Sequence, residues 1–309
     1  MSQPCRICQK PGTHQLGAYL FCDMHYERAC RQRSGVWQAD VASIGLLLLF
    51  VLLVFGMERW LQPQFSTTSL LVTGVLIAII PAAVWLFFFY RRDRLEPEPK
   101  HMVFRLFLLG ALLASAVGMP VLDNLFAVPD WLYSSPVWAH LLGSFLLVGF
   151  VQEFLVYTAV RFTVYSSQEF DEATDGIVYA TAAGIGYATL QNIVFVMASG
   201  GVALGTGSVY IVLNTLAHAS FAGVIGYFLG RQKFEERPLW WMPVGLTAAA
   251  ALNASFFYFR GTLTQASFGA AANQWLGLLL ATILAGVVTW FLSRFIQRNL
   301  ASLLAQEEV

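Results

Sequence analysis

Long apolar runs separated by short polar segments make up most of this chain. Eight of these runs are close to or above the roughly 20 residues that an α-helix needs to cross a bilayer. Their apolar residues are continuous rather than alternating with polar ones, which favours membrane helices over the strands of a barrel. We therefore predict an all-α fold, a polytopic membrane helix bundle. The eight predicted spans are residues 41–57, 69–90, 102–122, 137–160, 176–197, 208–230, 239–259 and 275–296.

The composition supports a membrane protein and excludes an ordinary soluble domain. Of the 309 residues, 57% are hydrophobic and only 12% are charged, with a mean hydropathy of +0.63. Soluble domains carry about 25% charged residues. Three regions are predicted: a polar head at 1–36, the eight-span body at 37–298 and a short tail at 299–309.

The positions of lysine and arginine predict the orientation of the bundle. With the N-terminus inside, most of the 18 basic residues fall in cytoplasmic segments, whereas the outer loops hold only Arg59 and Arg260. Cytoplasmic loops are enriched in Lys and Arg, so both termini are expected in the cytoplasm of a protein of the plasma (inner) membrane. The lipid bilayer is the expected surrounding, and no nucleic-acid partner is expected.

The head contains all four cysteines of the chain, and three of them fall into two close pairs of metal-binding residues. Cys5 and Cys8 form the first pair, and Cys22 and His25 form the second. Such a spacing is typical of a structural zinc site, in which each pair supplies half of a tetrahedron. We therefore predict that these four residues bind Zn²⁺.

Free thiols or two disulfides are the alternatives to zinc in the head. A disulfide is disfavoured in the reducing cytoplasm, and His14 or Cys30 could replace one of the four predicted ligands. Because so short a head has almost no core, a metal would supply most of its folding energy. Four protein ligands leave no open position for catalysis, so the predicted role is docking or support.

A charged, proline-containing segment at 91–100 joins the second and third spans. Prolines stop a helix and favour an extended chain. We expect the charges of this segment to be solvated or to lie among the lipid headgroups.

Glu153 is the only acidic residue well inside a predicted span, and Gln152 precedes it. A carboxylate in hydrocarbon is costly unless it is protonated, paired or faces a hydrated cavity, which makes it a candidate functional residue. The other mid-span polar residues are Gln191, Asn192, Asn214, His218 and Asn253.

The fourth, fifth and sixth spans are predicted to bring these polar residues together. Gln152, Gln191 and His218 lie about 13, 22 and 18 Å from the cytoplasmic ends of their helices at about 1.5 Å per residue. The simplest interpretation is hydrogen bonding between helices, which is favoured for Asn253. For Glu153 with His218, an alternative is activation of water on a peptide carbonyl, with the histidine or an amide stabilising the oxyanion.

Together these residues resemble the PrsW family of intramembrane proteases, which are related to the CAAX-type glutamate proteases. The resemblance covers about residues 80–232, and the head and the last two spans lie outside its strongest part. The motifs that carry it are at 93–99 (DRLEPEP), 152–153 (QE), 175–180 (DGIVYA), 186–192 (GYATLQN), 217–218 (AH) and 226–230 (GYFLG).

The resemblance implies a catalytic set from which this chain departs. Family members typically have a Glu-Glu pair, then Lys three positions later, a Glu-Asn pair after Gly-Phe-Ala, and a His on the next helix. Here Gln152 replaces the first Glu, Val156 the Lys and Gln191 the Glu of the second motif. Glu153, Asn192 and His218 remain. An amide keeps the shape and hydrogen bonding of the acid but cannot take up a proton.

The departures favour a non-catalytic PrsW-like protein that binds a transmembrane segment or serves as a subunit of a membrane complex. The main alternative is an active intramembrane protease that uses Glu153 and His218 to cleave a membrane-anchored regulatory protein. A transporter or channel is the weakest hypothesis, because the sequence has neither inverted halves nor a train of ionisable residues. The sequence names no metal for the membrane site.

Overall fold

The architecture is that of a computed structural model of the full chain. It describes residues 4–5, 8, 10–16, 19–31, 36–61, 65–92, 98–201, 204–265, 275–288, 290–291 and 294. The predicted tail at 299–309 lies outside these residues.

The head consists of a short hairpin followed by one helix. Strand β1 (His14–Leu16) pairs antiparallel with β2 (Tyr19–Phe21), and α1 spans Asp23–Arg31. Before the hairpin, an isolated bridge joins Pro4 to Pro11, and the Cys5 amide donates to the Lys10 carbonyl. This turn folds the first cysteine pair back towards the hairpin.

The remaining secondary-structure elements of the described chain are all helices, as the continuous apolar runs predict. Two helical stretches contain π-helical segments. The stretch Lys100–Leu125 includes Ala114–Gly118 and Pro120–Leu125, and the stretch Val137–Arg161 includes Ser144–Gly149. The helices are α2 (Val36–Leu61), α3 (Thr67–Arg92), α4 (Lys100–Leu113), α5 (Val128–Trp131), α6 (Val137–Gly143), α7 (Phe150–Arg161), α8 (Asp175–Ala198), α9 (Leu204–Phe234), α10 (Trp241–Gln265) and α11 (Trp275–Val288).

Among the described residues, six helical stretches are long and apolar enough to span a membrane. They are Val41–Leu61, Thr67–Phe87, Lys100–Leu125, Val137–Arg161, Asp175–Ala198 and Leu204–Phe234. The predicted all-α polytopic bundle is confirmed. The count of eight stays a prediction, because the last two predicted spans coincide with α10 and the shorter α11, which are not among the six.

Helices α8 and α9 form the centre of the bundle and pack closely against each other. At Gly176 and Gly226 each backbone lies where the other residue would place a Cβ atom, so only glycine fits this crossing. Around this pair lie α2, α3, α4, α7 and α10. The candidate functional residues of α8 and α9 are therefore enclosed by protein rather than by lipid.

The loop prediction for 91–100 is wrong at Glu98. This side chain is buried rather than solvated, and it accepts a hydrogen bond from the hydroxyl of Tyr179 on α8. Glu98 therefore contacts the central helix α8, a contact that local charge patterning cannot reveal. Residues 93–97 lie outside the described part of the chain.

Candidate functional site

The acid half of the site, defined as Gln152, Glu153 and Asn253, joins α7 to α10. Asn253 donates from Nδ2 to Glu153 Oε1 at 2.8 Å and to Gln152 Oε1 at 3.0 Å. Glu153 has no exposed surface, and the other two residues are also buried. Asn253 thus bonds between helices, as predicted, but its partner is the candidate functional acid itself.

The amide half, defined as Gln191, Asn192, Asn214 and Thr215, joins α8 to α9. Asn214 Nδ2 donates to Asn192 Oδ1 at 3.1 Å and to Gln191 Oε1 at 3.3 Å. Asn192 Nδ2 in turn donates to the Ile211 carbonyl and to Thr215 Oγ1, at 3.3 and 3.2 Å. This half is a continuous network of carboxamides and one hydroxyl.

Tyr187 and His218 lie between the two halves. Their rings stack with centroids 5.6 Å apart, and both side chains are buried. Tyr187 also packs against Leu155 of α7 and Ala114, and it lies close enough to Glu153 for an electrostatic interaction. Tyr187 is one helical turn from Gln191, and His218 is one turn from Asn214. The two halves, Tyr187 and His218 are together called the polar cluster.

Two buried polar atoms of this cluster have no hydrogen-bond partner among the described residues. They are Glu153 Oε2 and Tyr187 Oη. An unpaired buried polar group costs about 1–3 kcal/mol, so a bundle that only had to be stable would gain by pairing them. Both groups are chemically available to a third molecule such as water or a peptide.

The predicted membrane-site residues all fall in this polar cluster. Gln191 and Asn192 meet through Asn214, Gln152 and Glu153 meet through Asn253, and His218 joins through Tyr187. Sequence reasoning did not assign Tyr187 or Asn253 to the site. Asn253 could have been found as the lone amide inside the seventh predicted span. Tyr187 could have been found because it lies four residues before Gln191, on the same helix face.

In the head, the four predicted ligands come together. The ligand atoms of Cys5, Cys8, Cys22 and His25 all lie within 4.8 Å of one another. His25 Nδ1 is 3.5 Å from Cys5 Sγ and 3.3 Å from Cys22 Sγ, and the Sγ atoms of Cys8 and Cys22 are 3.6 Å apart. Tetrahedral zinc with its usual bond lengths would have edges of about 3.5–3.8 Å, so the cluster could hold such an ion.

The second ligand pair is positioned by the start of α1. The Cys22 carbonyl accepts hydrogen bonds from the amides of His25 and Tyr26, which places His25 in the first turn of the helix. None of Cys5, Cys8 and Cys22 forms a disulfide. The local fold therefore turns both members of the pair towards one point.

His14 does not serve as a substitute ligand in this structure. Its Nε2 lies 3.0 Å from Asp23 Oδ1, and its ring stacks on Tyr26. The hydroxyl of Thr13 donates to Asp23 and holds the pKa of that carboxyl below its ordinary value, with His14 acting in the same direction. The side chain of Cys30, the other suggested substitute, lies outside the described part.

Comparison with protein families identifies the membrane body. The profile described as PrsW family intramembrane metalloprotease matches residues 98–272. The chain belongs to the PrsW family. The matched segment begins at Glu98 and includes both halves of the polar cluster, but it excludes the cysteine-containing head.

Curated PrsW relatives from several bacteria match the same region. Protease PrsW of Geobacillus kaustophilus is 35% identical over 54% of this chain and 68% of its own length. Protease PrsW of Bacillus subtilis is 29% identical over 60% of this chain and 82% of its own length. Protease PrsW of Halalkalibacterium halodurans is 34% identical over 52% of this chain and 70% of its own length. No solved structure matches this chain.

These relatives bear on the predicted loss of activity. Their names are those of proteases, so the PrsW family is one of intramembrane proteases. The prediction of a non-catalytic member has no support from them, and the alternative of an active protease fits better. The head and the departures at Gln152, Val156 and Gln191 are features of this chain on which the comparisons are silent.

The PrsW family description includes a metal, but the polar cluster does not fit a catalytic zinc ion. Catalytic zinc sites use three protein ligands from His, Cys, Asp or Glu and leave one position open. The polar cluster offers two such side chains, Glu153 and His218, and its other members are carboxamides and hydroxyls. Among the described residues, three or more such ligands converge only in the head.

Proposed function

We propose that this chain is an active intramembrane protease in which Glu153 is the general base. The observation that carries this proposal is the arrangement of the carboxyl group. Asn253 donates to Oε1, whereas Oε2 is buried and has no hydrogen-bond partner among the described residues. A base must be oriented and yet have one oxygen ready to accept a proton. Glu153 meets both conditions.

The amide replacements at Gln152 and Gln191 are compatible with activity. Each of these side chains accepts a hydrogen bond through Oε1, from Asn253 and Asn214 respectively. A carboxylate would accept the same bond, so the amide preserves the positioning role of the replaced acid. With Asn192, these two residues position the site, and a single base at Glu153 remains for proton transfer.

Hydrolysis in this site needs one water molecule and one peptide bond. Glu153 Oε2 takes a proton from the water as its oxygen bonds to the carbonyl carbon, and the carbonyl oxygen becomes negatively charged. His218 and a second donor of the polar cluster stabilise that charge. The carbon–nitrogen bond then breaks, and Glu153 returns the proton to the departing nitrogen.

The substrate class follows from the location of Glu153 inside a predicted span. A peptide bond can reach it only from a transmembrane segment, so the proposed substrate is a membrane-anchored protein, such as a regulatory protein. Because Glu153 is fully buried, helices must separate locally for water and substrate to enter. The contacts of Asn253 across α7 and α10 would open in that step.

The head is proposed to be a structural zinc domain on the cytoplasmic side of the plasma membrane. The convergence of the Cys5, Cys8, Cys22 and His25 ligand atoms supports zinc. The proposed regions are the head at 1–36, the body at 37–298 and the tail at 299–309. Purified protein should contain about one zinc per chain, and Cys22→Ser should lose it. Zinc-free wild-type protein would contradict this assignment, whereas Ser43→Ala is a control expected to retain the metal.

Cleavage of a fluorogenic transmembrane peptide by the purified protein in lipid vesicles tests the proposed activity. Glu153→Gln keeps the acceptor for Asn253 but cannot take up a proton, so kcat should fall by about 10²- to 10⁴-fold. Glu58→Gln is the matched control. Glu58 is an acid on α2 that accepts a bond from the Gly205 amide, a role an amide can also fill.

Two outcomes would contradict the proposal. Equal turnover by wild type and Glu153→Gln would remove Glu153 from the chemistry. No cleavage by wild type, together with a membrane protein that copurifies in a fixed ratio, would favour the non-catalytic alternative.

A further inference from the structure

We propose that the Tyr187 hydroxyl is the second oxyanion donor and hydrogen-bonds to the carbonyl oxygen of the scissile peptide. This role rests on the proposed protease function and names a residue that sequence reasoning did not assign to the site. The donor must be near the base, must carry a hydrogen that is not already used, and must be held in place. Tyr187 meets each condition in the described structure.

The first condition is proximity to the reacting groups. Tyr187 stacks on His218 and packs against Leu155, which is two residues after Glu153 on α7. Its hydroxyl is within electrostatic range of two acids, Glu153 and Asp123. Within the described part of the chain, both Tyr187 Oη and Glu153 Oε2 are buried without a hydrogen-bond partner. A peptide carbonyl and a water molecule would supply a partner to each.

The second condition excludes the three asparagines of the polar cluster as donors. An amide nitrogen has two hydrogens, and Asn253, Asn192 and Asn214 each donate to two acceptors already. Using any of them on an oxyanion would break a bond of the ground state. The Tyr187 hydroxyl carries its hydrogen without such a loss.

The third condition is a fixed position. The Tyr187 ring is held between His218 and the apolar residues Ala114 and Leu155. Gly118 makes room for the hydroxyl, because a methyl group at this position would overlap Tyr187 Oη. The hydroxyl therefore needs little rearrangement as charge develops, which is what makes oxyanion donors effective.

In the proposed step, Tyr187 gives a hydrogen bond and keeps its proton. The water oxygen bonds to the carbonyl carbon, the water proton goes to Glu153, and the carbonyl electron pair moves onto the oxygen that Tyr187 Oη and His218 face. When the carbon–nitrogen bond breaks, that pair re-forms the carbonyl. Tyr187 therefore acts mainly in the transition state, so its removal lowers kcat more than it changes KM.

Tyr187→Phe tests this role by removing one oxygen atom. We expect kcat for the fluorogenic transmembrane peptide to fall about 100-fold, with KM and the melting temperature in detergent unchanged. Tyr210→Phe is the matched control: Tyr210 is also on the central helix pair and stacks on Phe195, away from the acid. It should retain wild-type kcat.

The outcomes separate this inference from the proposed function. Wild-type cleavage with an unchanged kcat in Tyr187→Phe would overturn the Tyr187 role alone, and a change confined to KM or to the melting temperature would assign it a structural role instead. A wild type without cleavage overturns both proposals. Gly118→Ala is a second variant that keeps the phenol but displaces it, and it should reproduce the loss in kcat.

Discussion

The acid half and the amide half of the polar cluster contain similar side chains but differ in how completely these are hydrogen-bonded. Asn192 and Asn214 pair their amide hydrogens with acceptors, and no buried atom of the amide half is unpaired among the described residues. In the acid half, Glu153 has one oxygen with no hydrogen-bond partner in the described structure, and the same is true of the Tyr187 hydroxyl.

This difference suggests that one half of the site stabilises the bundle and that the other half takes part in catalysis. Saturated hydrogen bonds between helices stabilise a bundle, whereas an unpaired buried acid destabilises it. A role in catalysis would explain why the chain retains such an acid. The amide half is therefore expected to affect mainly stability, and the acid half mainly turnover. Four variants test this assignment of stability to one half and turnover to the other.

Glu153→Asp should have the largest effect. It keeps the carboxyl group but withdraws it by one methylene from Asn253 and from the substrate position. A misplacement of about 1 Å can cost about 100-fold in rate, so we expect kcat to fall by that factor. Loss of the bond from Asn253 should cost no more than about 1 kcal/mol of stability. Glu58→Asp is the control in the same peptide assay, and wild-type turnover by Glu153→Asp would show that position is unimportant.

Asn192→Ala should mainly reduce stability. It removes two donated bonds and one accepted bond, at about 0.6 kcal/mol each in a membrane protein, or about 2 kcal/mol in all. Unfolding in mixed micelles would measure the loss. Thr189→Ala on the same helix removes only a bond to the Ile185 carbonyl of its own helix and should cost less. A stable Asn192→Ala protein with no turnover would show that the amide half acts in turnover rather than in stability.

Asn253→Ala should have an intermediate effect on both properties. It frees the second carboxylate oxygen of Glu153 and the Gln152 carbonyl, so the base is present but no longer oriented. We expect about a tenfold fall in kcat, within the range for an orienting group, and a loss of about 1 kcal/mol. Ser255→Ala, on an exposed face of α10, is the control for both assays.

Gln152→Glu should have the smallest effect. If Gln152 serves only as an acceptor for Asn253, a carboxylate in its place keeps that bond. We expect turnover to stay within about threefold of wild type, well below the factor of 100 for a misplaced base. Activity that appears only in Gln152→Glu, or only with Gln191→Glu and Val156→Lys added, would instead identify the natural chain as inactive.

The grouping of the four candidate ligands in the head was predictable from the sequence. Its four candidate ligands lie within 21 consecutive positions, and the spacing of each pair matches a turn of chain or the first turn of a helix. Such contacts depend on local geometry, and a short hairpin is enough to bring the pairs together. Cys5, Cys8, Cys22 and His25 were therefore identified together, while His14 pairs with Asp23 by a contact that spacing does not encode.

The sequence by itself determined that the chain is an all-α membrane bundle and that Glu153 is exceptional, because hydropathy and the cost of a buried carboxylate act at each position separately. Only the tertiary structure decided that Asn253 holds this acid, that Tyr187 stacks on His218, and that Glu98 is buried against Tyr179. These contacts join residues far apart in the chain. They depend on how each helix is rotated and packed, which a one-dimensional pattern of apolar residues does not specify.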